Sequence, residues 1–65
     1  MSASLKERRN SKGLTQSDMA KLIGCSEQYY NMIENEKRTP SVKTAKEIGR
    51  ILNVEWVNFF KDKVN

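Results

Sequence analysis

The side chains with the most chemical potential in this chain are amides on one ridge of a short predicted helix. Gln28, Asn31 and Asn35, with Met32 beside them, recur at intervals of three and four residues, so they lie above one another on a helix. An amide both donates and accepts hydrogen bonds, and the edges of base pairs require both. The alternative is an ordinary solvent-exposed helix face, although such faces more often carry Glu and Lys. Both interpretations of the ridge stay open.

The residues before this helix predict a second helix and a tight turn. Thr15 and Asp18 have the spacing of a capping box. Gly24 is expected to end the helix that they start, because glycine adopts the left-handed conformation without strain. Ser26 then caps the amide-bearing helix, and Ala20 allows the two helices to cross closely. The predicted shared core consists of Met19, Ile23, Cys25, Tyr30 and Ile33.

Helical apolar spacing continues along the whole chain, without β-branched alternation. Five helices are predicted, at about 4–11, 16–23, 27–34, 42–52 and 56–61. The predicted apolar face of the fourth consists of Val42, Ala45, Ile48, Gly49 and Leu52. Pro40 and Ser41 open that helix, and Asn53 is expected to stop it. The two helices around Gly24 predict a helix-turn-helix at roughly 16–34; an ordinary helical hairpin is the alternative.

Length and composition limit the classes of protein that fit. The 65 residues are expected to form one domain over 1–65, with a core at about 5–60 and a candidate dimerisation element at 54–65. A domain this short buries only about 60% of its unfolded surface, so efficient helix packing or a partner subunit is needed. One cysteine and no histidine argue against a disulfide, a metal site or a cofactor.

Charge and hydropathy favour some partners over others. The net charge of +4 favours phosphate backbones, although weakly by itself. No apolar run is long enough for a membrane span and the start of the chain is polar, so we expect a cytoplasmic protein without a membrane partner. An enzyme is not expected, because there is no histidine and no phosphate-binding glycine loop, and no small-molecule ligand is expected either.

The chain resembles the XRE-type, phage Cro/cI repressor-like, helix-turn-helix DNA-binding family in two runs, GLTQSDMAKLIGCSEQYYNMIENEKRTPS and TAKEIGRILNV. The similarity covers roughly 5–60. It implies an all-α, compact five-helix lambda-repressor-like domain from a phage or bacterium. It also implies a homodimer that binds an inverted-repeat operator in double-stranded DNA, with the third helix in the major groove. A repressor is the simplest function; an activator or controller protein, or a protein-interaction module that does not bind DNA, are the alternatives.

The predicted base contacts are Gln28, Asn31, Glu27, Ser26 and Met32. Gln28 is the first candidate, because the N-terminal residues of a recognition helix contact the base edges. Glu27 either accepts a hydrogen bond from cytosine or only interacts with the helix dipole. Ser26 is first a cap. Met32 either touches a thymine methyl group or contacts no base.

The predicted phosphate contacts are Gln16, Tyr29, Asn35, Lys37, Arg38 and Lys43. Members of the family commonly use a glutamine at the position of Gln16, beside the N–H groups of a helix N-terminus. Tyr29 either reaches a phosphate through its hydroxyl or is a half-buried packing residue. By resemblance, the loop after the third helix contacts the DNA backbone, and such contacts position a protein without specifying sequence.

Three further expectations concern structure. By resemblance, Arg9 and Glu34 form a structural salt bridge. Glu36 replaces the glycine that many relatives use after the recognition helix, and Asn35 is expected to take the left-handed conformation in its place. Glu55 is a poor cap, so the last helix is expected to start loosely.

The aromatic-rich tail is the candidate dimer surface. We expect Trp56 and Phe59 to complete the core of one subunit, while Val57, Phe60 and Val64 meet a partner. The alternative is that all of these side chains pack internally or lie exposed.

Overall fold

Four α-helices are followed by one short 3₁₀ helix in the computed structural model, which describes residues 4–60. The helices are α1 (Leu5–Ser11), α2 (Gln16–Ile23), α3 (Glu27–Glu34) and α4 (Val42–Leu52), and the 3₁₀ helix is Trp56–Phe59. The predicted all-helical architecture is confirmed, since residues 4–60 contain no strand. The count of five α-helices is not confirmed. Glu55 makes no capping hydrogen bond through its side chain, and only one 3₁₀ turn forms after it.

Side-chain caps begin each α-helix. The hydroxyl of Thr15 accepts a hydrogen bond from the Asp18 N–H at 3.0 Å, and the Asp18 carboxylate accepts one from the Thr15 N–H at 2.9 Å. This confirms the predicted capping box. The backbone hydrogen bond from Thr15 holds the pKa of Asp18 below its usual range. Ser26 and Ser41 cap α3 and α4. Such caps satisfy N–H groups that have no partner within the helix.

The turn between α2 and α3 depends on Gly24, which has a φ of 85°. The N–H groups of Gly24 and Cys25 both donate to the Ala20 carbonyl, at 2.8 and 3.0 Å. Ala20 is buried, as its predicted place between the helices requires. The turn therefore holds α3 close against α2.

The core lies where α2, α3 and α4 meet. Its buried members are Met19, Ala20, Tyr30, Ile33, Ile48 and Leu52, and Ile23, Cys25 and Phe59 pack against it partly buried. Burial raises the pKa of the Cys25 thiol, which favours the unreactive protonated form. Val42, predicted on the core face of α4, is 50% exposed. That expectation was wrong, because α4 begins at Val42 and its first turn extends beyond the core.

The end of α3 differs from the sequence-based prediction. Glu36 has a φ of 59°, whereas Asn35 has an ordinary φ of −89°. The Glu36 N–H donates to the Ile33 carbonyl and the Lys37 N–H to the Met32 carbonyl, at 3.1 and 2.8 Å. This is a Schellman motif, in which the residue after the cap must be left-handed. Its two hydrogen bonds place Glu36, and not Asn35, at that position.

The approach of the 3₁₀ helix to α4 requires Gly49. A Cβ atom at Gly49 would lie 2.7 Å from the Val54 carbonyl oxygen and 3.2 Å from the Trp56 Cβ. The Val54 N–H donates to the Gly49 carbonyl at 3.0 Å, and left-handed Asn53 stops α4 as predicted. Among residues 4–60, no helix is both long and apolar enough to cross a bilayer.

Candidate nucleic-acid interface

The N-terminus of α3 presents three exposed polar residues, Ser26, Glu27 and Gln28. The Ser26 hydroxyl accepts a hydrogen bond from the Tyr29 N–H at 3.0 Å, so it is engaged as a cap. The side chains of Glu27 and Gln28 make no hydrogen bond within residues 4–60. Both side chains are therefore available to a ligand. The helix that carries them is held in place by its packing against α2.

Asn31 is not a free amide on the same ridge. It is half-buried, and its Nδ2 donates to Gln16 Oε1 at 3.1 Å. Its Oδ1 accepts a hydrogen bond from Asn35 Nδ2 at 3.1 Å, and Gln16 Nε2 donates to Glu34 Oε1 at 3.0 Å. We call the chain Glu34–Gln16–Asn31–Asn35 the amide relay. It links the start of α2 to the face of α3.

An ion pair anchors the amide relay. Arg9 Nε lies 2.6 Å from Glu34 Oε2, and Arg9 Nη2 donates to Glu34 Oε1 at 3.2 Å. Both side chains are nearly buried, 9% and 3% exposed, and Arg9 Nη1 also donates to the Leu14 carbonyl at 2.9 Å. Burial by itself raises the pKa of Glu34, but hydrogen bonds from Arg9 and Gln16 outweigh it and lower the pKa overall.

The Tyr30 hydroxyl lies near the same ion pair. It is buried and makes no hydrogen bond with the described residues, although the charges of Glu34 and Arg9 are close enough to influence its pKa. Burial is the largest effect and raises that pKa. Tyr30 is thus a neutral core residue.

Exposed basic side chains lie in the segment after α3 and in the first turn of α4. Lys37, Arg38 and Lys43 are exposed, and the Arg38 guanidinium lies 5.5 Å from the centroid of the Tyr29 ring. Tyr29 is half-buried and packs against the core. The contact between Arg38 and Tyr29 joins residues nine positions apart, so no helical periodicity could have predicted it.

The C-terminal aromatic residues pack beside α4, where Trp56 approaches Gly49 and Phe59 packs against the core. The rings of Trp56 and Phe60 meet edge to face, with centroids 6.1 Å apart, and Lys46 Nζ lies 5.2 Å from the Trp56 centroid. Val57 is 42% exposed. Val64, also predicted at the dimer surface, lies outside the described residues.

Comparisons with known proteins agree with this arrangement. A family model described as helix-turn-helix matches residues 5–58. An uncharacterized HTH-type transcriptional regulator, YqaF of Bacillus subtilis (strain 168), is 46% identical over 94% of this chain and 80% of its own length. The ImmF control region 10 kDa protein of Bacillus phage phi105 is 38% identical over 85% of this chain. The match spans 61% of the phage protein. No solved structure gives a significant match.

Proposed function

This chain belongs to the helix-turn-helix family, and we propose that it is a sequence-specific regulator of transcription that binds double-stranded DNA. The observation that carries the proposal is the exposed N-terminus of α3, where Glu27 and Gln28 have no internal hydrogen-bond partner in the described structure. Similarity to a protein named as a transcriptional regulator supports the same function.

The major groove is wide enough to admit an α-helix, and α3 is the helix that we place there. Gln28 contacts a base directly, since a glutamine amide matches the N6 and N7 groups of adenine. Glu27, beside it, accepts a hydrogen bond from a cytosine amino group. Ser26 contributes mainly as the cap of α3, and half-buried Met32 supplies an apolar contact to a thymine methyl group.

Phosphate contacts flank α3 on both sides. Gln16 lies at the first position of α2, where the helix N-terminus attracts anions. Lys37, Arg38 and Lys43 supply positive charge on the other side, together with Asn35. The Arg38 guanidinium packs over the Tyr29 ring, and the Tyr29 hydroxyl contacts a phosphate at the edge of the groove.

A repressor that binds an inverted repeat as a homodimer is the simplest mechanism for so small a domain. Occupying an operator excludes polymerase without any further activity. Two recognition helices separated by about 34 Å would read two half-sites on one face of the duplex. One alternative is a DNA-binding activator that contacts polymerase through a surface patch. The other is a protein-interaction module that does not bind DNA.

The test is the salt dependence of binding to a duplex of random sequence, followed by fluorescence anisotropy. A DNA-binding protein loses affinity steeply as salt rises, in proportion to the phosphates that it neutralises. Lys37→Gln is expected to reduce the slope by about one, whereas Arg50→Gln, in the last turn of α4, should leave it unchanged. Absence of duplex binding at low salt would contradict the proposal and favour a protein-interaction module.

A further inference from the structure

The direction of every hydrogen bond in the amide relay is fixed by its first member. An ionised carboxylate only accepts hydrogen bonds, so the Gln16 amide must turn its NH₂ group to Glu34. The Gln16 oxygen then faces Asn31, which must donate to it. The Asn31 oxygen in turn accepts from Asn35. Neither Gln16 nor Asn31 can flip without placing two donors or two acceptors against each other.

This order halves the hydrogen-bonding capacity that Asn31 can offer to a ligand. A free asparagine amide has two N–H donors and an oxygen with two lone pairs. In the amide relay, one N–H is used by Gln16 and one lone pair by Asn35. Asn31 therefore keeps one donor and one acceptor for a ligand.

One donor and one acceptor match adenine but not guanine. In the major groove adenine presents the N7 acceptor beside the N6 donor, whereas guanine presents two acceptors, N7 and O6. An asparagine with a single available N–H satisfies both groups of adenine and only one of guanine. The acceptor left unpaired at a desolvated interface is costly.

We propose that Gln16, oriented by Glu34, is a specificity-determining residue that restricts Asn31 to adenine and excludes guanine. Gln16 acts through Asn31 and is a positioning residue for base recognition. The inference rests on the proposed function, because it requires α3 to lie in the major groove.

The experiment compares two variants that each remove one hydrogen bond to Asn31. Gln16→Ala frees the second N–H of Asn31, whereas Asn35→Ala frees only a lone pair. Duplexes selected by the wild-type protein from a randomised pool supply the probe. The position contacted by Asn31 is the one whose preference Asn31→Ala abolishes, and paired duplexes carrying A or G at that position are then titrated.

The wild-type protein is expected to prefer adenine to guanine by about tenfold, equivalent to about 1.4 kcal/mol. Gln16→Ala should lower this ratio to about twofold or less, and Asn35→Ala should leave it near the wild-type value. If Gln16→Ala also loses a phosphate contact, the affinity falls equally for the A and G duplexes, so the ratio between them does not change. If Gln16→Ala is poorly folded by circular dichroism, Gln16→Met, which keeps the length of the side chain, should give the same ratio.

Three results would overturn the proposal. The first is an adenine-to-guanine ratio in Gln16→Ala or Gln16→Met that equals the wild-type ratio, and the second is a fall of this ratio in Asn35→Ala as large as in Gln16→Ala. The third is that Asn31→Ala changes no base preference. Each leaves the proposed function standing if the wild-type protein still selects a defined sequence. Failure of the wild-type protein to bind any duplex would instead remove the proposed function, and this inference with it.

Discussion

The Glu34 carboxylate accepts three hydrogen bonds, two from Arg9 and one from Gln16. One residue thereby connects α1 and the start of α2 to α3. The net lowering of its pKa on folding links this connection to pH. A depressed carboxyl pKa stabilises the folded state above the ordinary glutamate pKa, and that stability is lost as pH falls through the folded pKa.

Glu34→Gln keeps the shape of the side chain but removes the group that titrates. At pH 7 we expect the variant to be about 2 kcal/mol less stable than wild type, because hydrogen bonds to a charged group are lost. The difference should begin to shrink as pH falls below the ordinary glutamate pKa of about 4.3, and it should be lost only once pH has fallen through the lowered pKa of Glu34 in the folded state. Urea unfolding at pH 7 and pH 3.5 measures it. A difference that stays constant with pH would contradict the role of the Glu34 charge.

Sequence patterns predicted the roles of many single residues but not the residues that they contact on other helices. Thr15, Gly24 and Asn53 were predictable because caps and left-handed stops depend on local backbone chemistry. The contact of Arg9 with Glu34 followed only from family resemblance. The hydrogen bond between Asn31 and Gln16 was not predicted, because helical periodicity gives the face of a side chain and not the rotamer that reaches a neighbouring helix.

At the scale of elements, the end of α3 carries backbone strain. Glu36 occupies the left-handed region at φ 59°, which costs an L-residue roughly 1–2 kcal/mol. The Schellman hydrogen bonds hold it there. The strained residue precedes Lys37 and Arg38, so it helps to set the path of the basic segment.

Replacing Glu36 by glycine should therefore stabilise the domain by about 1 kcal/mol, measured as the free energy of unfolding in urea. Asn35→Gly is the matched control. Its φ of −89° is unstrained, so glycine there should destabilise by roughly 0.5–1 kcal/mol through the entropy of the unfolded chain. Glu36→Gln tests whether charge contributes, and an equal gain from it would refute the explanation by strain.

The contact between α4 and the 3₁₀ helix gives a second prediction at this scale. Alanine usually stabilises a helix interior by about 1 kcal/mol relative to glycine. At Gly49 the added Cβ would lie 2.7 Å from a backbone oxygen, so we expect Gly49→Ala to destabilise by about 1–3 kcal/mol. The fluorescence of Trp56, the single tryptophan, should also change.

Arg50→Ala, one residue along α4 and exposed, is the control for Gly49→Ala and should change stability by less than about 0.5 kcal/mol. A stabilising Gly49→Ala would mean that the 3₁₀ helix does not pack as described. This contact was not predictable from sequence. Gly49 fitted the apolar face of α4 simply as a small residue, and only the tertiary structure shows what approaches it.

For the whole molecule, the relevant feature is the candidate dimer surface formed by Val57, Phe60 and the neighbouring Trp56. Val57 is 42% exposed and Val42 is 50% exposed. Val42 lies one helical turn from Lys46, which contacts Trp56, so it extends the same side of α4. Exposed apolar groups near an edge-to-face aromatic pair support the proposed subunit contact.

We predict that Phe60→Asp converts a dimer into a monomer in sedimentation experiments at micromolar concentration, because it places a charge in an apolar contact. Leu22→Asp is the control, since Leu22 on α2 is 56% exposed and outside this surface. It should leave the mass unchanged. A wild-type protein that is already monomeric at this concentration, with no effect of Phe60→Asp, would exclude the surface as a dimer contact.

Selection of bound duplexes from a fully random pool, with wild type and Gln28→Ala analysed in parallel, tests whether the N-terminus of α3 recognises DNA. We expect wild type to enrich an inverted repeat whose half-sites are centred about 10 base pairs apart. We expect Gln28→Ala to lose its preference at one symmetric position and to keep the rest. A wild-type pool that remains random, or an unchanged sequence with Gln28→Ala, would contradict recognition of DNA by the exposed N-terminus of α3.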